Sequence, residues 1–224
     1  MRGAVERWAA ALFAVAGLLV LAGCTRPTVN DEPTESAESL TVALFVGDSY
    51  TEGVGLTEGQ RPLRWSSLVA GSRGWSEVNA SCSGSGYVRQ GLLCGNTFAE
   101  RLPLLTSQEP EAVFIWGGVN DLGGSPDAAA EAAGETIAAY ASAFPDARLV
   151  VLSGVYFLGP EPAPIAAIND ALEDAATSAG ATYIDLGTPF ADDPTLLGSD
   201  GLHPNVAGHR VIADAVLAGL PSAD

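Results

Sequence analysis

From Leu40 onward, short apolar runs rich in Val, Ile and Leu alternate with longer stretches whose apolar residues recur at helical spacing. The runs predict strands at Val42–Val46, Glu77–Ala80, Ala112–Trp116, Leu149–Leu152 and Thr182–Ile184. The stretches between them predict helices at Arg61–Ala70, Thr97–Leu105, Asp127–Phe144, Ala166–Ala179 and Val206–Leu217. A run such as Val42-Ala43-Leu44-Phe45-Val46 has no polar face, so its strand must be covered on both sides. Parallel sheets built from βαβ units provide that cover. The expected fold is α/β, a flavodoxin-like three-layer sandwich around a five-stranded parallel sheet.

The first 39 residues follow other rules. Arg2 and Arg7 precede the apolar stretch Trp8–Leu21, which is short for a membrane span, and Leu21-Ala22-Gly23 leads into Cys24. This predicts a signal peptide over residues 1–23, with an uncleaved anchor helix as the alternative. Leu21-Ala22-Gly23-Cys24 resembles the bacterial lipoprotein box, which implies cleavage before Cys24 and lipidation, as by palmitate, of that cysteine. Acyl chains contribute about 0.8 kcal/mol per buried methylene, so two or more hold a protein on a membrane. Residues 25–39 are rich in Pro, Thr, Glu and Ser and nearly devoid of large apolar side chains, the composition of a flexible tether reaching roughly 20 Å. The expected location is the outer face of a bacterial cytoplasmic membrane, with one domain from residue 40 to 224.

Composition narrows the function. All ten basic residues are arginine, and against 27 acids they leave a formal net charge of −17. Such a surface repels phosphate backbones, which argues against nucleic acid as a partner. With Cys24 assigned to lipid, Cys82 and Cys94 remain as an even pair in a chain bound for an oxidising compartment, and a disulfide is expected. Two buried free thiols are the alternative. Metal ligation is disfavoured, because the usual close cysteine pairs are absent.

Four short motifs carry chemistry. Gly47-Asp48-Ser49 falls where the first strand ends, at the carboxyl edge of the sheet where open α/β folds bind ligands. The nucleophile elbow of α/β-hydrolases is absent, since Thr51 stands where that motif has glycine. Asp200-Gly201-Leu202-His203-Pro204 puts a carboxylate and an imidazole three residues apart before the last helix. A serine nucleophile needs a base, and the base needs an acceptor to fix its tautomer. Gly84, in Ser83-Gly84-Ser85-Gly86, and Asn120, in Gly118-Val119-Asn120-Asp121, follow the second and third strands and supply the donor types that stabilise an oxyanion. Taken singly, the first motif is a weak signal that a helix cap would also explain, and the others read first as turns, caps or an ordinary surface histidine. Their placement at the ends of successive strands, or just before the last helix, would let the fold gather all four on one edge of the sheet.

In this order and spacing the motifs resemble the four blocks of the SGNH (GDSL-type) hydrolase family, over nearly all of residues 41–219. The resemblance implies Ser49 as nucleophile, His203 as base and Asp200 as its orienting partner. It implies an oxyanion hole of the Ser49 and Gly84 N–H groups and the Asn120 amide. Ester hydrolysis would proceed through an acyl-enzyme, with no cofactor and no metal. Ser81 stands where many members have glycine, which leaves Gly86 as a rival to Gly84 as donor. The expected substrates are small-molecule, glycan or lipid esters, and the protein is expected to act as a monomer. The alternatives are an O-acyltransferase using the same residues and a non-catalytic ligand-binding lipoprotein. Asp48 and Asp121 are expected to hold turns by hydrogen bonds, and His209 to be structural. Tyr156, Phe157 and Leu158 read as core or pocket wall, and Arg61, Arg64 and Trp65 as a solvated helix face.

Overall fold

The computed structural model describes residues 41–156 and 162–221. The expected signal peptide, Cys24, the tether, Phe157 and Leu158 lie outside the described residues. Five parallel strands, β1 (Val42–Gly47), β2 (Ser76–Ser81), β3 (Pro110–Trp116), β4 (Arg148–Leu152) and β5 (Thr182–Ile184), form one sheet in the order β2-β1-β3-β4-β5. The helices are α1 (Ser49–Glu52), α2 (Trp65–Arg73), α3 (Phe98–Arg101), α4 (Pro126–Ala143), α5 (Ala163–Ser178), α6 (Pro189–Asp192) and α7 (Val206–Gly219). This is the doubly wound order, whose switch point lies between β1 and β3.

Pleating sorts the apolar run of β1 into two cores. Ala43 and Phe45 face one cluster, which includes Trp65 and Val69 of α2 and Ile212 and Val216 of α7. Leu44 and Val46 face the other, with Ile137 and Tyr140 of α4 and Ile165, Ile168 and Leu172 of α5. Phe45 stacks on Phe114 of β3 at 4.7 Å and meets Trp65 edge-on at 5.3 Å. Trp65 is thus core and not part of a solvated face. Arg64 beside it turns to the edge strand, where Nη2 lies 3.0 Å from Glu77 Oε2.

Two helices differ from the sequence pattern, and proline accounts for both. In place of one helix from Arg61, a 3-10 turn spans Glu58–Leu63 with Pro62 inside it, and Arg64 takes an extended conformation before α2 begins. α2 then ends at Gly74, whose φ of +70° lets the Trp75 N–H reach back to the Ala70 carbonyl at 2.9 Å. The pattern over Thr97–Leu105 resolves into α3, capped by Thr97, and a 3-10 turn at Leu102–Leu104. Pro103 has no N–H to continue the α-helical ladder.

Candidate active site

The carboxyl end of β1 sets the geometry. A side chain at Gly47 would collide with Thr51, so only glycine lets the chain turn directly from strand into α1. Asp48 caps that helix, with Oδ1 accepting from the Tyr50 N–H at 2.9 Å. Ser49 is the first helical residue and half-buried. Its hydroxyl and its N–H have no hydrogen-bond partner among the described residues.

The loop after β2 is tied to the same strand end. In-register pairing puts Gly47 opposite Ser81, and the Cys82 N–H donates to the Gly47 carbonyl at 3.0 Å. Arg101, buried in α3, donates to the carbonyls of Gly47 at 3.0 Å and Ala80 at 2.6 Å, and to the Ser85 hydroxyl at 2.9 Å. Glu52 of α1 accepts from the Ser83 N–H at 2.8 Å and the Ser83 hydroxyl at 2.6 Å. Cys82 and Cys94 are joined in a disulfide, which closes the loop that carries Gly84.

The two candidate glycines differ. Gly84 has a φ of +76°, and its N–H has no acceptor among the described residues. The Gly86 N–H is taken by the Arg89 carbonyl at 2.8 Å. A side chain at Gly86 would collide with the carboxylate of Asp121, so Gly86 makes room for a brace. That carboxylate accepts from the N–H groups of Tyr87, Val88 and Arg89 at 2.9 to 3.0 Å.

Asn120 bridges the two strand ends. Its Nδ2 donates to Asp48 Oδ2 at 3.1 Å and to the Ser85 carbonyl at 2.9 Å. Burial holds the Asp48 carboxyl up at about 7, with the charge of Asp121 adding to the effect and the Tyr50 N–H opposing it. Beside Asn120 lies a cavity of about 280 Å³ bounded by Val88, Arg89, Asp121, Ser125 and Ala129.

The last motif forms a closed turn before α7. The Gly198 N–H donates to the His203 carbonyl at 2.8 Å, and Asn205 caps α7 while its amide donates to the Thr195 and Leu197 carbonyls. Asp200 Oδ1 accepts from the N–H groups of Leu202 and His203, both at 3.0 Å, while Oδ2 lies 2.7 Å from His203 Nδ1. That bond to His203 is the main reason the Asp200 carboxyl is held down at about 2. A carboxylate only accepts, so His203 Nδ1 carries a proton, and in the neutral imidazole this tautomer puts the lone pair on Nε2. Tyr50 joins this turn to Ser49. Its hydroxyl donates to the Leu202 carbonyl at 2.6 Å, and its ring centroid lies 5.8 Å from that of His203.

Residues 45–211 match the model of the GDSL-like lipase/acylhydrolase family. The chain belongs to this family. Its members hydrolyse ester bonds. It is similar to the GDSL lipase Rv0518 of Mycobacterium tuberculosis, with 32% identity covering 87% of this chain and 86% of the relative. In fold it is similar to LAE5, an α/β hydrolase enzyme from the metagenome of Lake Arreo, at 23% identity and a TM-score of 0.63, covering 80% of this chain and 94% of that one. A second likeness is to Axe2, an acetylxylan esterase from Geobacillus stearothermophilus, at 19% identity and a TM-score of 0.60, covering 80% and 93%.

Against the motifs read from sequence, the structure of this GDSL-family chain brings Asp200 and His203 into direct contact. It links Asn120 to the turn carrying Ser49 through Asp48, and ties the Gly84 loop to the end of β1. His209 is buried, with Nδ1 accepting from the Trp65 N–H at 3.3 Å, apart from this hydrogen-bonding. Tyr156 packs partly buried against the core. Tyr50, Glu52 and Arg101 were not anticipated. An aromatic residue next to Ser49 is a weak signal for Tyr50, whereas no local pattern marks Glu52 or Arg101.

Proposed function

We propose that the protein is a serine esterase that cleaves carboxylic esters through an acyl-enzyme on Ser49. The contact between Asp200 Oδ2 and His203 Nδ1 at 2.7 Å carries the reading, because it prepares an imidazole to take a proton at Nε2. Ser49 Oγ attacks the ester carbonyl as His203 Nε2 removes its proton. The tetrahedral oxyanion is held by the Ser49 and Gly84 N–H groups and by the Asn120 amide, which exchanges its longer bond, that to Asp48, for the substrate oxygen. His203 returns the proton to the leaving alcohol. Water, deprotonated in turn by His203, then releases the acid and restores Ser49.

The substrates proposed are short acyl or acetylated glycan esters, with lipid esters within range. The cavity beside Asn120 supports a site for a small acyl group. The chain is further proposed to be exported and held on the outer face of a bacterial cytoplasmic membrane by lipid on Cys24, with residues 25–39 as its tether. The disulfide between Cys82 and Cys94 suits that compartment.

The test is release of nitrophenol from p-nitrophenyl acetate, butyrate and octanoate by the full chain and by Ser49→Ala. Hydrolysis lost in the variant supports the reading. Equal hydrolysis by both proteins contradicts it. Faster formation of an acylated sugar than of free acid, with a glycan acceptor present, assigns the same acyl-enzyme to transfer.

A further inference from the structure

The disulfide-closed loop exposes large apolar side chains next to the candidate oxyanion donor. Val88 is 49% exposed, Leu92 70% and Leu93 93%. Solvated loops rarely gather apolar residues in this way without something to cover them. The three are not equivalent in position. Val88 lines the cavity beside Asn120. Leu92 lies over Gly84, its Cγ 2.8 Å from where a β-carbon on that glycine would stand. Leu93, the most exposed, supplies none of the three atoms nearest that position.

Leu92 is also fixed in place. Its N–H donates to the Ser83 carbonyl at 2.9 Å, and Ser83 is held in turn by Glu52. The Cys82–Cys94 disulfide closes the loop around Gly91, where a side chain would strike both sulfur atoms. An apolar side chain thereby sits against the backbone of the candidate donor Gly84 while most of its surface stays free.

We propose that Leu92 is a specificity-determining residue, the apolar wall against which an aliphatic acyl chain lies when the ester carbonyl is held at Gly84. The inference rests on the esterase reading and adds to it a preference for acyl chains longer than acetyl. Acetyl esters remain substrates on this reading, and an acetyl group covers less of Leu92 than a longer acyl chain does. Each further methylene that does cover it adds favourable apolar contact.

The test compares kcat/KM for p-nitrophenyl octanoate and acetate in the full chain, Leu92→Ser, Leu92→Ala and Leu93→Ser. Titration of active sites with a phosphonate ester corrects each protein for its competent fraction. Leu92→Ser is expected to lower the octanoate-to-acetate ratio about tenfold, with Leu92→Ala intermediate. Leu93→Ser is expected to leave the ratio within about twofold. Should Leu92→Ser not fold, Leu92→Ala decides alone, since it removes the wall and keeps the backbone bond to Ser83. An unchanged ratio in the Leu92 variants overturns the proposal. So does an equal fall in Leu93→Ser, which indicates adsorption of the long ester to a generally apolar loop. Failure of the esterase reading is seen separately, as no Ser49-dependent hydrolysis of either ester by the unsubstituted protein.

Discussion

Asp200 serves two purposes with its two oxygens. Oδ1 closes the turn by accepting from Leu202 and His203, and Oδ2 orients the imidazole. Read from sequence, the turn-former and the orienting carboxylate looked like rival explanations of one residue; the structure shows both. Asn at this position retains an oxygen for the turn and loses the charge beside Nδ1. Asp200→Asn is therefore expected to lower kcat on the order of 10²-fold with little change in Tm. Kinetics and thermal melts on the same preparation check this, and an undiminished kcat contradicts the role. Ser49, Asn120, Asp200 and His203 could be singled out from sequence because residue type at strand ends, or just before the last helix, is a local signal. Arg101 could not. Its role arises from burial against the carbonyls of Gly47 and Ala80, contacts that no local pattern encodes.

At the scale of elements, strands were easier to read than helices. β5 spans the predicted Thr182–Ile184, and β1, β3 and β4 extend their predicted runs by one or two residues, because residues buried on both faces leave an unbroken apolar signal. The helices of the Arg61 and Thr97 regions were overextended, since apolar spacing continues through Pro62 and Pro103 while the backbone ladder does not. The choice between Gly84 and Gly86 also lay beyond sequence. Hydrogen bonds separate the two in the structure: the Gly86 N–H goes to Arg89 and the missing side chain of Gly86 admits the Asp121 brace, whereas the Gly84 N–H has no acceptor among the described residues. Gly86→Ala is expected to displace that carboxylate from three N–H donors and to destabilise the domain by about 2–3 kcal/mol. Urea unfolding measures the loss, and a change below about 0.5 kcal/mol argues against the brace.

For the whole molecule, two buried groups give opposing pH dependences. Asp48 has its carboxyl raised from 3.8 to about 7 by burial, so the folded protein holds a proton the unfolded chain has released. Its contribution is fully present below 3.8 and is lost as pH rises through about 7. His209 is lowered from 6.5 to about 4, first by burial and then by the charges of Arg64 and His203. Its contribution is present above 6.5 and is lost as pH falls through about 4. Between these limits the two slopes oppose each other. Asp48→Asn removes one of them, so Tm of the variant is expected to rise more steeply than that of the unsubstituted protein from about pH 4.5 to 6.5. Thermal melts across that range test it, and parallel curves contradict the assignment.

The central claim, that Ser49 forms the covalent intermediate, is tested most directly by mass spectrometry after reaction with a p-nitrophenyl phosphonate. The account predicts one equivalent of nitrophenol released and one phosphonyl group on the peptide containing Ser49, with no label in Ser49→Ala. Ester hydrolysis that persists while Ser49 stays unlabelled, or a label on another side chain, would contradict it.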